Sequence, residues 1–139
     1  MTDTVEHFKH VFTNLERSNI GLVDTLYDDN VTFIDPFHKI HGREKLRDYF
    51  NEMYQNVVSC DFQFRDTYIN DGSAMITWNM LLNHKTLARN EPIKIAGSSL
   101  IRFNDNKVYF HRDYFDAGQL VYERLPLLGP IIKFIKQRV

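Results

Sequence analysis

Apolar residues recur at helical spacing near the start of the chain, at Val5, Phe8, Val11, Phe12 and Leu15. Asp3, with Glu6 three residues on, supplies an N-terminal capping signature, and together these predict a first helix. A short second helix is expected over residues 21–27, ended by the turn formers Asp28-Asp29-Asn30. Residues 31–35 read as a short strand closed by Pro36, and residues 38–42 as a small hairpin arm. Leu46, Tyr49, Phe50, Met53, Tyr54 and Val57 then share one helical face, which predicts a third helix over 43–57.

From Ser59 the period changes to two. Residues 61–65 alternate, Asn70-Asp71-Gly72 is a hairpin turn, and 73–87 form a long strand. A strand over 93–103, a turn at Asn104-Asp105-Asn106 and a last strand over 107–116 follow. Helices that precede a meander of strands predict an α+β domain whose helices cover one sheet face. Met75 and Leu81 place apolar groups on the face opposite Ile76, Trp78, Met80 and Leu82. A sheet apolar on both sides needs a second cover, so a homodimer through the outer face is expected.

Length and composition narrow the class. A chain of 139 residues with 43% hydrophobic content suits a single globular domain. The 17 basic and 18 acidic residues nearly cancel, which argues against a nucleic-acid partner. The lone Cys60 cannot form an internal disulfide, and the opening MTDTVEHFKHVF lacks the basic and apolar regions of a secretory signal. A soluble cytoplasmic protein is the expectation. His38 and His41, three apart on an extended arm, face opposite sides, and no metal or other cofactor is expected.

Helix, helix, a strand ending in "FIDPF", then "HGREKLRDYF" and long strands closing with "HRDYFDAGQL" resemble the SnoaL-like families of the nuclear transport factor 2-like superfamily. Ketosteroid isomerase and limonene epoxide hydrolase are its enzyme relatives. The resemblance implies a cone, a curved antiparallel sheet wrapped on three N-terminal helices around an apolar cavity. Asp35 matches the isomerase's general base, whose acid–base logic comes with the likeness. The isomerase's protonated aspartate aligns with Ser99, and its first-helix tyrosine has no counterpart among Phe8, Val11, Phe12 and Leu15. Asp113 matches one catalytic aspartate of the epoxide hydrolase, whose other two catalytic positions hold Trp78 and Met80.

Strand alternation groups these residues. Tyr109, His111, Asp113 and Phe115 share one face, as do Ile95, Gly97, Ser99, Ile101 and Phe103, and as do Val31, Phe33 and Asp35. The implied site has Asp35, Asp113 and His111 as catalytic groups, with Phe33, Tyr54, Trp78, Met80, Ser99 and Phe103 around a small apolar ligand. Desolvation and mutual repulsion of two carboxylates in such a hollow would favour divided acid and base duties, with Asp35 the base. Each residue also has a plainer reading. Asp35 before a proline is a turn former, and His111 is a buried histidine with its hydrogen bonds satisfied.

Three functions compete: an acid–base isomerase, cyclase or hydrolase, a non-catalytic small-ligand binder, and a dimeric interaction module whose cone Trp78 and Met80 fill. The cone domain is expected over 1–125. Residues 126–139 form an amphipathic helical tail starting at Gly129-Pro130, with Ile131, Ile132, Ile135 and Val139 as its apolar stripe. That tail is read as packing on the domain or the partner subunit rather than on a membrane.

Overall fold

The computed structural model describes residues 2–85, 91–120 and 129–138. Helix α1, Thr2–Asn14, buries Val5, Phe8, Val11 and Phe12, and Leu15 just beyond it. Asp3 lies inside its first turn instead of capping it, where a carboxylate complements the helix dipole. The second helical segment, Ile20–Thr25, is a 3-10 helix that buries Ile20 and Val23. Strands β1, Tyr27–Ile34, and β2, Lys39–His41, form the hairpin arm. Gly42 then turns into α2, Arg43–Tyr54, with φ 97°, a backbone geometry that residues with a Cβ rarely adopt. Val57, expected in this helix, opens the next strand instead.

Four long strands follow: β3, Val57–Ile69; β4, Ser73–His84; β5, Ile93–Asn104; and β6, Lys107–Phe115. Both predicted turns have left-handed backbone at their centres, at Asp71 and Gly72 and again at Asp105 and Asn106. That twist matches the flanking strands of a two-residue hairpin. The strand expected to reach residue 87 ends at His84, and residue 87 itself lies outside the described residues. The six strands form one sheet in the order β2-β1-β6-β5-β4-β3. All neighbours run antiparallel except β1 and β6, which are parallel, with Phe33 beside His111.

Register decides which side chains face inward. On β5 and β6, Ile101 pairs with His111, Ser99 with Asp113 and Gly97 with Phe115. Arg102 pairs with Phe110 but Phe103 with Val108, so Tyr109 is an extra residue. Such a bulge interrupts the period of two. Tyr109 is 44% exposed and Val108 takes the inward position, correcting the expected grouping of Tyr109 with His111.

Under the helices the inner face is packed solid by Ala74, Ile76, Ile101, Phe103 and Val108 against α1 and the 3-10 helix. A second cluster, Trp78, Leu82, Ile93 and Ile95, sits toward the opposite end of the strands. On the outer face Arg102 lies over the Phe110 ring and Arg112 over the Tyr114 ring, at 5.1 and 4.8 Å. At the C-terminal side, α3, Ala117–Leu120, and α4, Gly129–Arg138, follow the sheet. Helix α4 begins where the sequence placed it, and Lys136 pairs with Asp116. Ile131, Phe134 and Ile135 are exposed. The expected domain boundary near 125 lies outside the described residues, as does Val139, and the side chain of Ile132 is not described.

Gly97 is the close-approach point of the sheet. A Cβ there would lie 2.4 Å from Trp78 Cη2 and 2.7 Å from the Tyr114 carbonyl oxygen. Gly97→Ala should therefore lower stability by about 1–3 kcal/mol, the usual cost of overpacking. An unchanged midpoint in urea unfolding would contradict this seating of Trp78.

Candidate functional site

Between the end of α2, the β1–β2 loop and the inner faces of β3, β4 and β6 lies a cavity of about 470 Å³. Phe37, Tyr49, Phe62, Trp78 and Phe115 give it aromatic walls. Three carboxylates, Asp35, Glu52 and Asp113, line it as well. Met80 and Leu82 of β4 face it across from Met53 and Tyr54 of α2.

Asp35 owes its position to the β1–β2 turn. Its Oδ1 accepts the backbone N–H groups of Phe37 and His38 at 2.8 and 2.7 Å, the pattern of an Asx turn. Its Oδ2 accepts the Tyr49 hydroxyl at 2.5 Å. The side chain is 6% exposed, and three of its four lone-pair directions are taken. Burial, and then the hydrogen bond to Asp35, push the Tyr49 phenol well above its ordinary pKa, so it remains a proton donor at neutral pH. His38 Nδ1 stands 3.7 Å from Asp35 Oδ1, beyond hydrogen-bond distance.

Asp113 is held differently. Its Oδ1 accepts the Ser99 hydroxyl at 2.5 Å and is 2.6 Å from His111 Nε2. A carboxylate oxygen only accepts, so His111 Nε2 donates to it, and in the neutral imidazole Nδ1 then accepts the Tyr27 hydroxyl at 2.7 Å. Burial first, and the Asp113 charge next, raise the Tyr27 pKa well above its ordinary value, which keeps this phenol a donor. Trp78 Nε1–H donates to Ser99 Oγ at 2.9 Å, completing the set. Asp113 Oδ2 accepts no hydrogen bond from the described residues, and Asp113 lines the cavity.

The structure therefore brings Asp35 and Asp113 into one hollow, with Tyr54, Trp78 and Met80 on its walls as the sequence led us to expect. Four expected site residues lie elsewhere. Ser99 and His111 border a separate gap of about 10 Å³ and meet the cavity wall through Asp113 and, for Ser99, Trp78. Phe33 is buried against His111 and Phe50, because the parallel register with β6 turns it into the main core. Phe103 packs at the far end of the strands, beyond the β6 bulge.

Tyr49, Phe37 and Glu52 are cavity residues that the sequence reading did not single out. Tyr49 carried a signal: it lies one turn before Met53 on the apolar stripe of α2. Cys60 lines the cavity too, and burial pushes its thiol up to about 12 despite an opposing hydrogen bond with Tyr54. The His84 imidazole at the rim is lowered by burial.

A family model for the SnoaL-like domain matches residues 8–111. The chain belongs to this family. The matched span includes Asp35 and ends two residues before Asp113. Solved structures similar to this SnoaL-like domain share its fold at low identity. A Catenulispora acidiphila protein with a ketosteroid isomerase-like fold, in complex with trimethylamine, superposes with a TM-score of 0.74. It is 15% identical, over 85% of this chain and 88% of that one. An LEH-like epoxide hydrolase from M. tuberculosis gives 0.73 at 15% identity, over 97% of both chains. An NTF2-like protein of unknown function from Burkholderia pseudomallei gives 0.75 at 9% identity, over 87% and 96%. Among curated proteins none matches the sequence.

Tyr49→Phe should destabilise this SnoaL-like domain by about 1.5–3 kcal/mol, the range for hydrogen bonds to a charged group, because Asp35 is too buried for water to replace the donor. Denaturant unfolding of the variant checks it, and a change below measurement error would mean that the Tyr49–Asp35 contact does not form.

Proposed function

We propose that this SnoaL-like domain is a proton-transfer catalyst acting on a small, largely apolar substrate in the 470 Å³ cavity. One observation carries the reading: Asp113 lines the cavity, and while its Oδ1 is engaged by Ser99 and His111, its Oδ2 has no hydrogen-bond partner among the described residues. A carboxylate fixed in this way presents a lone pair at a set place, which is what general base catalysis requires. Ser99, His111 and Tyr27 are positioning residues, since none of them lines the cavity and they act on it through Asp113 and Trp78.

The base expected from the sequence changes in this reading. Asp35 already accepts three hydrogen bonds, so it orients Tyr49, and the Asp35–Tyr49 pair forms a second polar pole for the substrate's carbonyl or hydroxyl group. Asp113 Oδ2 takes a proton from a carbon next to that carbonyl, or from a water that then attacks the substrate, and returns it to the product. The relatives with isomerase-like and epoxide hydrolase-like folds are consistent with either step, and a fold shared at 15% identity does not choose between them. The reading includes a homodimer through the outer sheet face, where Tyr68 and Tyr114 remain 65% and 42% exposed. Sedimentation at twice the 16.5 kDa chain mass supports that assembly, and sedimentation as a monomer overturns it.

Asp113→Asn should reduce turnover by about 10²–10⁴-fold, the usual contribution of general acid–base catalysis, with binding of an uncharged ligand retained. Solvent-deuterium exchange into a panel of cyclic ketones, run beside hydrolysis of apolar epoxides, supplies the assay. Wild-type rates in Asp113→Asn would end the catalytic reading and leave a binding protein.

A further inference from the structure

The charge of the cavity wall points to the kind of ligand it holds. The walls carry three carboxylates, Asp35, Glu52 and Asp113, and no lysine or arginine among the described residues that line it. Asp35 accepts three hydrogen bonds, from the Phe37 and His38 backbone and from Tyr49. Asp113 Oδ1 is engaged by Ser99 and His111, and its Oδ2 has no hydrogen-bond partner among the described residues. Two histidines line the cavity as well, His38, which packs against Tyr49 and Phe37 at 4.9 and 6.4 Å, and His84. His84 is held toward its neutral form by burial.

Six more lining residues are aromatic: Phe37, Tyr49, Tyr54, Phe62, Trp78 and Phe115. Phe62 and Trp78 meet edge to face at 5.3 Å, and Phe115 leans on both Trp78 and Phe37, at 6.4 and 6.1 Å. Aromatic faces attract cations through their quadrupole, and more strongly where water is excluded. A neutral apolar ligand would leave Asp113 Oδ2 without a partner, and an anion would be repelled by the carboxylates. A cation offsets them.

We propose that the cavity takes a ligand carrying a positively charged nitrogen, an alkylammonium or protonated amine, on a small apolar body. This rests on the ligand-cavity part of the functional reading and names its substrate class. The nitrogen would lie against the ring faces and within reach of Asp113 Oδ2, while the apolar body covers Met80 and Leu82.

Three isosteric probes test it: benzyltrimethylammonium, the uncharged neopentylbenzene and the anionic benzylsulfonate, each measured by competition against one environment-sensitive fluorescent probe. The cation is expected to bind at least about tenfold more tightly than the neutral isostere, with the anion weakest. Glu52→Gln, an exposed change at the mouth, should weaken cation binding several-fold and leave neutral binding unchanged. Asp113→Asn, checked by thermal melting for an intact fold, should remove most of the preference. Equal or tighter binding of the neutral probe overturns the inference. If in that case Asp113-dependent turnover of a neutral substrate is found, the proton-transfer reading survives without this one. Cation preference without any proton transfer supports this inference and removes the catalytic one. Binding of none of the three overturns both.

Discussion

His111 is 1% exposed, ringed by Phe8, Phe12 and Phe33, and has a hydrogen-bond partner on each ring nitrogen. An imidazole in such a setting is tolerable only if both nitrogens are satisfied, since an unpaired buried polar group costs about 1–3 kcal/mol. Meeting that demand ties Tyr27 on β1, Asp113 on β6, Ser99 on β5 and Trp78 on β4 into one connected set. Four strands are thereby held in a single register around one carboxylate. The cavity wall inherits its geometry from this set, because Trp78 and Asp113 belong to both.

The same constraint accounts for the division of the interior. On the α1 side of the network the inner face is filled by aliphatic and aromatic groups, and this part behaves as an ordinary close-packed core. On the other side α2 ends with Tyr54, and Trp78, seated over Gly97, forms a wall of the cavity. Asp35 is positioned independently, by a turn that its own carboxylate closes. The turn-former reading of Asp35 and its place in the cavity are thus both correct, since one oxygen closes the turn and the other meets Tyr49.

The fold was legible because its signals are local and mutually consistent. Helical spacing in α1 and α2, turn residues at 70–72 and 104–106 and period-two strands all survive in the structure. Asp35 and Asp113 sharing one hollow was also legible, through the family resemblance combined with alternation. What alternation could not supply is the bulge at Tyr109, because one inserted residue leaves no mark in the apolar pattern and reverses the side of every residue before it. The parallel β1–β6 pairing was hidden for a related reason: sequence period reports faces, not neighbours. Hence Phe33 and Phe103 were expected in the site and stand in the core. Tyr49 was visible as a stripe residue, yet its bond to Asp35 depends on how α2 packs over the β1–β2 turn, which no local pattern encodes.

The central claim is that Asp113 is gripped by one oxygen and offers the other to whatever occupies the cavity. A crystal structure of the protein with a bound cavity ligand tests this most directly. The account predicts a polar atom of the ligand within hydrogen-bond distance of Asp113 Oδ2, with Ser99 and His111 still on Oδ1. A ligand bound away from Asp113, or an Asp113 side chain swung off His111 and Ser99, would contradict it.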